Sequence, residues 1–351
     1  MTNSSDLSFD VHTVITAEES YAIPAIELSS PDTLVRSPIV SVLMLTRNHE
    51  QYLQQAVESV LAQEVDFEIE LLIGEDFSTD RTLDLACQLQ ARFRRIIRLI
   101  HADRNVGITP NFLRLACRAR GEFVAFLEGD DYWIDPEKLL KQVNLMRSHS
   151  QYAWCGGRTQ NRMIWLPSQP AYILEDILRR YVIHTSTVMF RRSLLFPYPQ
   201  FPEIACWDSM LLAHLTNQGL CGFIDSEMSY YRRHDGGVWH NADRGNRVRM
   251  SRQCIDALGD YFDHRYDRQL ADREAWIYAM EIERELGPGF ISFWRGSFAL
   301  LKDASPRLIR HAPFKLVELW ASVIFQPVVG ATHWIRRKLG MGNRIRKWLM
   351  V

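Results

Sequence analysis

The sequence predicts an α/β fold in which a mostly parallel sheet is flanked by helices. Two observations support this prediction. Apolar, β-branched runs of strand length alternate along the chain with stretches of helical periodicity, and the connections between them are short. Strands joined through helices in this way are expected to lie parallel in one sheet. The predicted strands are residues 39–45, 68–73, 96–101 and 122–127.

Each helix that follows one of these strands has its own signal. Apolar residues recur at helical spacing after the first strand, and capping residues or a proline stand before the other three helices. The stretches concerned are residues 52–61, "STDRT" before a helix that runs to Phe93, Thr109-Pro110, and Asp135-Pro136.

Three regions follow from this pattern. Residues 1–36 lack strong periodicity and are expected to be an N-terminal extension, residues 37–245 carry the α/β domain, and residues 246–351 form a helical C-terminal region. The stretch 319–351 contains six Lys and Arg but no Asp or Glu, with tryptophans interleaved. Such a stretch fits a contact with an anionic membrane surface, although a solvated helix gives the same pattern.

The composition is that of a globular protein, with 47% hydrophobic and 24% charged residues. A formal net charge of −1 gives no overall attraction to nucleic acid, and we expect no nucleic-acid partner. The six cysteines are dispersed without a C-x-x-C pair, so neither a zinc site nor a disulfide framework is indicated. Together with the polar opening "MTNSSDLSFD", which does not resemble a signal peptide, this pattern predicts a cytoplasmic protein.

The stretch "FVAFLEGDDYW", residues 123–133, ends an apolar run with Glu128, Asp130 and Asp131. Ligands of open parallel sheets bind beyond the carboxyl ends of the strands, where this stretch, "TRN" and "GEDFSTD" all fall. The chain has neither a G-x-G-x-x-G nor a P-loop motif. Clustered carboxylates instead suit Mg²⁺ or Mn²⁺, which would offset the repulsion between the acids and hold a diphosphate. An acidic turn with Asp135 capping the next helix is the alternative.

From Pro38 to His240 the sequence resembles the family 2 glycosyltransferases, which have the Rossmann-like GT-A fold. Three stretches carry the resemblance in the family's order: "SVLMLTRNHEQYLQQAVESVLAQ", "GEDFSTDRT" and "NVGITPNFLRLACRARGEFVAFLEGDDYW". Leu45-Thr46-Arg47-Asn48 stands where the family usually has Pro-Thr-Tyr-Asn, and Glu128 replaces the first Asp of its D-x-D motif.

The resemblance implies a role for each polar cluster. Asp130 and Asp131 would bind the metal ion, with Glu128 as an outer ligand or ribose contact. Asp208, in "ACWDSMLLAHLTNQGLCGFID", would be the general base of inverting transfer, although an aspartate before an amphipathic helix also fits a helix N-cap. The remaining contacts to the donor would come from Thr46, Asn48, Glu75, Asp76, Arg232 and His234.

Arg232 and His234 belong to "YYRRHDGGVWH", which resembles the family's Y-R-x-H segment that closes over the diphosphate. A surface loop with ordinary charges is the alternative there, and a turn before a helix is the alternative for Glu75 and Asp76. A histidine such as His184 is, alone, more often a core residue. The weaker site candidates are His184, Thr187, Trp133 and Trp239.

These features together predict metal-dependent, inverting transfer of a sugar from a nucleoside diphosphate-sugar to an acceptor hydroxyl. The resemblance suggests bacterial surface polysaccharide or glycolipid biosynthesis with a glycan or lipid-linked acceptor. The basic stretch suggests a peripheral position on the inner face of the cytoplasmic membrane. Two alternatives stay open: a non-catalytic module that binds nucleotide-sugars or glycans, and a hydrolase that acts on a glycan with a carboxylate pair.

Overall fold

The computed structural model describes residues 13–161, 169–180, 183–237, 242–285 and 304–312. Within these residues a ten-stranded mixed sheet forms the centre of the fold, with helices on both faces. The predicted α/β class with a mostly parallel central sheet is confirmed. Each of the four predicted strands is present, with ends within two residues of those expected.

The strands and α-helices of the described residues are numbered in chain order. The strands are β1 (Val14–Ile15), β2 (Ile26–Leu28), β3 (Val40–Thr46), β4 (Ile69–Glu75), β5 (Ile97–His101), β6 (Phe123–Glu128), β7 (Tyr132–Trp133), β8 (Tyr152–Gln160), β9 (Ala171–Tyr172), β10 (Met189–Arg191), β11 (Tyr198–Pro199) and β12 (Leu220–Tyr230). The helices are α1 (Ala17–Tyr21), α2 (Leu53–Leu61), α3 (Thr82–Arg92), α4 (Ile108–Ala116), α5 (Lys138–Ser148), α6 (Leu174–Arg179), α7 (Trp207–Thr216), α8 (Arg244–Tyr261), α9 (Asp267–Glu285) and α10 (Pro306–His311).

The order of strands in the sheet is β2-β5-β4-β3-β6-β10-β8-β12-β7, and β9 also pairs with β12. The central strands β5, β4, β3 and β6 run parallel, whereas β2 and β10 flank them in the antiparallel direction. All residues of β3 and β4 are buried, which explains why both strands are mostly apolar, with Ser41 and Glu70 as polar residues inside them. In the register Thr46 lies beside Glu75 and Leu45 beside Glu128, so three carboxyl ends meet.

Two apolar cores cover the two faces of the sheet. Helices α2, α3 and α5 pack on one face through residues such as Val57, Leu89 and Val143. Helices α4 and α7 pack on the other face, where the rings of Phe112 and Trp207 lie 4.9 Å apart between centroids. Burial of each large apolar side chain stabilises the fold by about 1.5–3 kcal/mol. With both faces covered, the polar loops collect at the carboxyl ends of the strands.

The N-terminal segment takes part in this fold. Ile26–Leu28 adds an antiparallel edge strand to β5, although the sequence there shows no periodicity. Glu27 of this strand pairs with Arg98 at 2.8 Å, and Arg98 also pairs with the fully buried Glu70 at 3.2 Å. A strand of three residues is too short to produce a period-two signal, so the pattern alone could not distinguish it from an extension.

The chain divides into two compact units at Arg265 and Tyr266. The first unit contains the sheet and α8, which contacts α7. The described elements of the second unit are the helices α9 and α10, joined by an ion pair between Arg307 and Asp267 at 2.9 Å. No helix among the described residues is both long and apolar enough to cross a membrane. The basic stretch 319–351 lies outside the described residues.

Candidate active site

The carboxyl ends of β3, β4 and β6 form an edge that is rich in buried polar atoms. In the part of the chain that the structure describes, six buried side-chain nitrogen or oxygen atoms have no hydrogen-bond partner. Four of them lie at this edge: Thr46 Oγ1, His49 Nδ1, Glu75 Oε2 and Glu128 Oε2. Because a buried polar group without a partner costs about 1–3 kcal/mol, their concentration indicates a place that a ligand completes.

Asn48 holds the loop that follows β4. Its side-chain oxygen accepts a hydrogen bond from Thr79 N at 2.8 Å, and its own N–H donates to Ser78 Oγ at 2.9 Å. Its φ of 55° lies in the left-handed region, which asparagine tolerates better than most residues. Ser78 N also donates to Glu75 Oε1 at 2.7 Å, so the unpartnered Oε2 of Glu75 is held in a defined position.

Asp76 directs its carboxylate to the loop before α4. Oδ1 accepts a hydrogen bond from Val106 N at 2.8 Å, and Oδ2 accepts from Asn105 Nδ2 at 2.9 Å and from Gly107 N at 3.1 Å. Gly107 has a φ of 93°, a conformation that favours glycine. Asp76, predicted as a donor contact, thus joins the loops that follow β4 and β5.

The turn after β6 approaches β3 closely at Gly129. Its N–H donates to the carbonyl of Leu45 at 2.8 Å. A Cβ atom on Gly129 would lie 2.7 Å from Thr46 Oγ1 and 3.0 Å from His49 Nδ1, so a larger residue would push the turn away. The glycine within "EGDD" therefore sets how near the acidic residues come to the end of β3.

Negative charge accumulates around Glu128. Its Oε1 accepts a hydrogen bond from Thr185 Oγ1 at 2.6 Å, while Oε2 has no partner. Burial raises the pKa of Glu128 to about 8, a shift that the Thr185 hydrogen bond opposes and the charges of Asp130 and Asp208 reinforce. A cation at this position would relieve that repulsion.

Asp131 belongs to a buried group with Glu128 and His184. One ligand atom from each of these three residues lies within 4.8 Å of the others. Asp131 also accepts a hydrogen bond from Arg232 N at 2.9 Å. Carboxylate and imidazole groups at this proximity fit the coordination of a divalent cation such as Mn²⁺.

Asp130 instead faces two imidazoles. Its Oδ2 lies 2.9 Å from His234 Nε2 and 3.8 Å from His49 Nε2. Burial favours a higher pKa for Asp130, but the hydrogen bond with His234 and the charges of both imidazoles bring the pKa below its ordinary value. The sequence assigned Asp130 and Asp131 to one ion. In the structure the two carboxylates point into different groups, because neighbouring side chains of a tight turn project to different sides.

Arg232 joins the segment after β12 to this turn. Its guanidinium donates to the carbonyl of Asp130 at 2.8 Å and to Gln55 Oε1 at 2.5 Å. The same group lies 4.7 Å from the ring centroid of Tyr52 and 5.2 Å from that of Tyr132, within the range of cation–π attraction. The residue predicted to reach the diphosphate therefore also holds its own segment against the acidic turn.

The weaker candidates form a buried network behind the turn. His184 Nδ1 lies 2.6 Å from Ser186 Oγ, and Trp133 Nε1 donates to the carbonyl of Ser186 at 2.7 Å. Thr187 Oγ1 donates to the carbonyl of His184 at 2.9 Å. Trp133 and Thr187 are thus interior residues that position His184, whereas Trp239 lies outside the described residues.

Asp208 is the second residue of α7. The N-cap is Cys206, whose side chain forms no capping hydrogen bond, so the alternative of Asp208 as an N-cap is not the observed arrangement. Asp208 Oδ1 accepts a hydrogen bond from Ser209 N at 2.8 Å. The charge of Asp208 makes a small contribution to the raised pKa of Glu128, so the two carboxylates lie within electrostatic range of each other.

Sequence reasoning missed His49 and Lys138. His49 directly follows the "TRN" stretch, and a histidine beside a predicted site was the signal that could have identified it. Lys138 is fully buried, donates to Gln142 Oε1 at 2.7 Å and lies 4.0 Å from the centroid of the Trp133 ring. Burial lowers the pKa of Lys138 to about 7. No sequence signal marks it, because lysine is among the residues least often buried.

Comparison with known proteins identifies relatives over most of the α/β region. The family model described as Glycosyl transferase family 2 matches residues 41–200. An uncharacterized protein of Mycobacterium tuberculosis is 31% identical over 216 residues, which make up 58% of this chain and 61% of that protein. The chain thus spans about three fifths of its mycobacterial relatives. The putative teichuronic acid biosynthesis glycosyltransferase TuaG of Bacillus subtilis is 31% identical over 197 residues, 52% of this chain and 76% of TuaG.

Solved structures share the fold. TarS of S. aureus in complex with UDP-GlcNAc aligns with a TM-score of 0.57 and 19% identity over 83% of this chain and 92% of TarS 1–349. The mannosyltransferase PcManGT of Pyrobaculum calidifontis, in complex with GDP-Man and Mn²⁺, aligns with a TM-score of 0.53 and 14% identity over 88% and 93% of the two chains. These structures show the same fold, and because the sequence matches the family model and is 31% identical to TuaG over 76% of that protein, the chain belongs to glycosyl transferase family 2.

Proposed function

We propose that the protein transfers a sugar from a nucleoside diphosphate-sugar to an acceptor hydroxyl, with inversion at the anomeric carbon and with the help of a divalent cation. The single observation that carries this proposal is the placement of the unpartnered Glu75 Oε2 and Glu128 Oε2 at the sheet edge that also bears Asp130. The base and ribose of a nucleotide-sugar carry N–H and O–H groups that can donate to Glu75 Oε2. Its diphosphate, together with a bound cation, can occupy the space beside the acidic turn.

Glu75 is proposed to bind the nucleoside. Its Oε2 can accept a hydrogen bond from a base N–H or a ribose hydroxyl, and Ser78 N holds its other oxygen in place. Thr46 Oγ1, which is also buried and unpartnered, can donate or accept a hydrogen bond nearby. Asn48 and Asp76 keep the surrounding loops in position. The complexes of TarS with UDP-GlcNAc and of PcManGT with GDP-Man support a donor of this class.

Mg²⁺ or Mn²⁺ is proposed to bind at the turn after β6, where the residues present fit such an ion. Asp130 and His234 offer one carboxylate and one imidazole, and Asp131 belongs to the group with Glu128 and His184. The side chain of Asp130 is 21% exposed and that of Asp131 is 2% exposed, so Asp130 is the acid that a diphosphate can reach. The ion would supply positive charge for the departing diphosphate. The Mn²⁺ in PcManGT supports this choice of metal.

Asp208 is proposed to act as the general base. Its carboxylate takes the proton of the acceptor hydroxyl while the hydroxyl oxygen forms a bond to the anomeric carbon. The bond from that carbon to the diphosphate breaks on the opposite face, and the diphosphate leaves with the electron pair, so the configuration inverts. A place in the first turn of α7 suits this role, because the positive end of the helix dipole favours the ionised carboxylate.

Arg232 and His234 are proposed to complete the diphosphate side. Both lie on the segment after β12 that contacts the acidic turn, through Asp130 O and Asp130 Oδ2 respectively. The guanidinium adds positive charge where the leaving group gains negative charge, and the imidazole holds Asp130 in place through its hydrogen bond. They would thereby lower the barrier to departure of the nucleoside diphosphate.

We place the reaction in bacterial surface polysaccharide or glycolipid biosynthesis, with a glycan or lipid-linked acceptor. Support comes from TuaG, whose name assigns it to teichuronic acid biosynthesis. A lipid-linked acceptor would bring the enzyme to the inner face of the cytoplasmic membrane. The six Lys and Arg of residues 319–351 would then contact anionic lipids.

Calorimetric titration of UDP-sugars and GDP-sugars in the presence of Mn²⁺ tests the proposal. We expect at least one donor to bind, EDTA to abolish that binding, and turnover to release the nucleoside diphosphate. Donor binding without turnover to any acceptor, water included, would favour a binding module. Chelator-resistant cleavage of a glycan without a nucleotide would favour a hydrolase. Either of these results overturns the proposed transfer.

A further inference from the structure

Two exposed apolar side chains lie on the loops around the proposed nucleoside contact. Phe77 is 47% exposed and Ile108 is 48% exposed. A single exposed apolar residue is ordinary on a protein surface, but these two are linked through one carboxylate. Asp76 precedes Phe77 in the chain, and it accepts a hydrogen bond from the N–H of Gly107, which precedes Ile108. The two side chains therefore start from backbone segments that are directly joined.

The backbone holds Phe77 in an unfavourable conformation. Its φ is 57°, in the left-handed region, where a bulky residue is an outlier. Hydrogen bonds on both sides maintain it: Asp76 N donates to the carbonyl of Thr46 at 3.1 Å, and Ser78 N donates to Glu75 Oε1 at 2.7 Å. Strained residues of this kind concentrate at functional sites. Glycine at this position would remove the strain, so the presence of an aromatic ring here indicates that the ring has a function.

We infer that Phe77 and Ile108 form an apolar lip that packs against the flat face of the donor's nucleobase while Glu75 binds the edge of the base, an assignment that rests on the proposed function. A nucleobase combines an apolar aromatic face with N–H groups along its rim. Ribose, diphosphate and the transferred sugar have no such face. An exposed aromatic ring two residues from an unpartnered carboxylate oxygen therefore matches the base end of the donor.

Glu75 adds a preference among bases. A carboxylate oxygen can only accept hydrogen bonds, so it favours a base that presents a ring N–H on its pairing edge. Uracil and guanine present such a group, whereas the corresponding ring nitrogen of adenine and cytosine is itself an acceptor. We therefore expect UDP and GDP to bind more tightly than ADP and CDP.

Titration of the full-length protein with UDP, GDP and inorganic pyrophosphate, all with Mn²⁺ present, separates the lip from the rest of the site. Phe77→Gly should weaken the affinity for UDP and GDP by about 5- to 160-fold, which is the range for one base–aromatic contact. Its affinity for pyrophosphate should not change, because pyrophosphate has no base. Its thermal midpoint should equal or exceed that of the wild type, because glycine accepts a φ of 57° without strain.

Conservative and control variants complete the experiment. Phe77→Trp should keep nucleotide affinity, and Ile108→Ala should lower it by a smaller factor than Phe77→Gly. Ile173 is 49% exposed next to α6, and Ile173→Ala should bind UDP as the wild type does.

The outcomes separate the lip from the proposed function. A wild-type protein that binds no nucleoside diphosphate would overturn the proposed function together with the lip. Wild-type binding of UDP or GDP that Phe77→Gly retains in full would overturn the lip alone. If Phe77→Gly loses affinity for the nucleotides and for pyrophosphate by the same factor, the lip is also overturned, because Phe77 would then only maintain the conformation of the loop.

Discussion

The imidazole of His234 and the carboxylate of Asp130, which lie 104 residues apart in the sequence, meet at 2.9 Å between Nε2 and Oδ2. The contact brings the segment after β12 onto the turn after β6. Arg232 N adds a second link to this turn, at 2.9 Å from Asp131 Oδ1. Groups proposed for the metal and for the diphosphate thus form one continuous surface, and a change in either should affect both ligands.

Asp130→Asn should weaken Mn²⁺ binding in the presence of UDP, because asparagine keeps the shape of the side chain and removes the charge. We expect a loss of at least about tenfold, since even residues that only support a metal ligand commonly contribute that much. His234→Gln should cause a smaller loss. Calorimetry measures both, with Asp225→Asn as the control, because Asp225 pairs with Arg158 at the exposed surface.

If Asp130→Asn binds Mn²⁺ as tightly as the wild type does, Asp130 is not a ligand of the metal ion. The ion would then belong to the buried group of Glu128, Asp131 and His184. Asp131→Asn distinguishes the two arrangements, because it should weaken Mn²⁺ binding more than Asp130→Asn only if the buried group holds the ion.

Asp208→Asn should leave the affinity for the donor unchanged and lower turnover about 100-fold or more, because the amide cannot take the acceptor's proton. Steady-state kinetics with saturating donor measures the effect. Asp84→Asn is the matched control, since Asp84 is also an acidic residue in the first turn of a helix, α3, and is exposed. If Asp208→Asn turns over near the wild-type rate, Asp208 is not the general base and acts only on the stability of the first turn of α7.

Arg232→Met should weaken donor binding by about tenfold or more, because it removes hydrogen bonds from a charged group that each contribute about 1.5–3 kcal/mol. Those bonds hold the segment after β12 against the acidic turn. Arg233→Met is the neighbouring control, since the Arg233 guanidinium donates to the carbonyl of the exposed Asn161, away from the acidic turn. Equal donor affinities in the two variants would exclude the proposed part of Arg232 in donor binding.

Glu70→Gln should destabilise the fold by about 3 kcal/mol, because it removes the buried negative charge that two arginines share and leaves Arg98 with Glu27 as its remaining ion-pair partner. Glu70 is fully buried and pairs with Arg98 at 3.2 Å and with Arg120 at 2.7 Å. Glu68→Gln, which breaks an exposed pair with Arg95, should cost less than about 1 kcal/mol. Urea denaturation followed by circular dichroism measures the free energy of unfolding of both variants. Equal decreases in Glu70→Gln and Glu68→Gln would contradict the prediction that the buried pair contributes more.

Lys138→Met should reduce the dependence of stability on pH between pH 7 and 9. The pKa of Lys138 is about 7 in the folded protein and returns to its ordinary 10.5 on unfolding, so the unfolded chain binds a proton that the folded chain lacks. Stability should therefore rise with pH in this window, by about 1 kcal/mol per pH unit from this group. Urea denaturation at pH 7, 8 and 9 tests this, with the exposed Lys141→Met as control. Equal slopes for wild type and Lys138→Met would refute it.

Local sequence patterns were sufficient to predict the strands that position the candidate site. Strands buried on both faces consist mostly of apolar residues, so β3 and β4 were recognisable in the sequence despite the buried Ser41 and Glu70. Parallel strands joined by helices bring their carboxyl ends to one edge, so strand order alone predicts that Glu75 and Glu128 lie close together. The family resemblance, confirmed by the match to glycosyl transferase family 2, added the reaction class.

Sequence pattern could not assign a partner to each polar side chain. Asp130 and Asp131 are neighbours in the sequence, but their imidazole partners, His234 and His184, come from segments far along the chain. The carboxylate of Asp76 accepts its hydrogen bonds from a loop about thirty residues further along the chain.

The physical reason is the range of the interactions involved. Periodicity and strand order follow from the burial of neighbouring residues, which a short window of sequence contains. The direction of a carboxylate follows from contacts such as that of Asp130 with His234, and these form only when distant segments pack together. The amino-acid pattern was therefore enough to specify the fold and the edge where catalysis is expected, while the partner of each acidic side chain at that edge emerged from the folded chain.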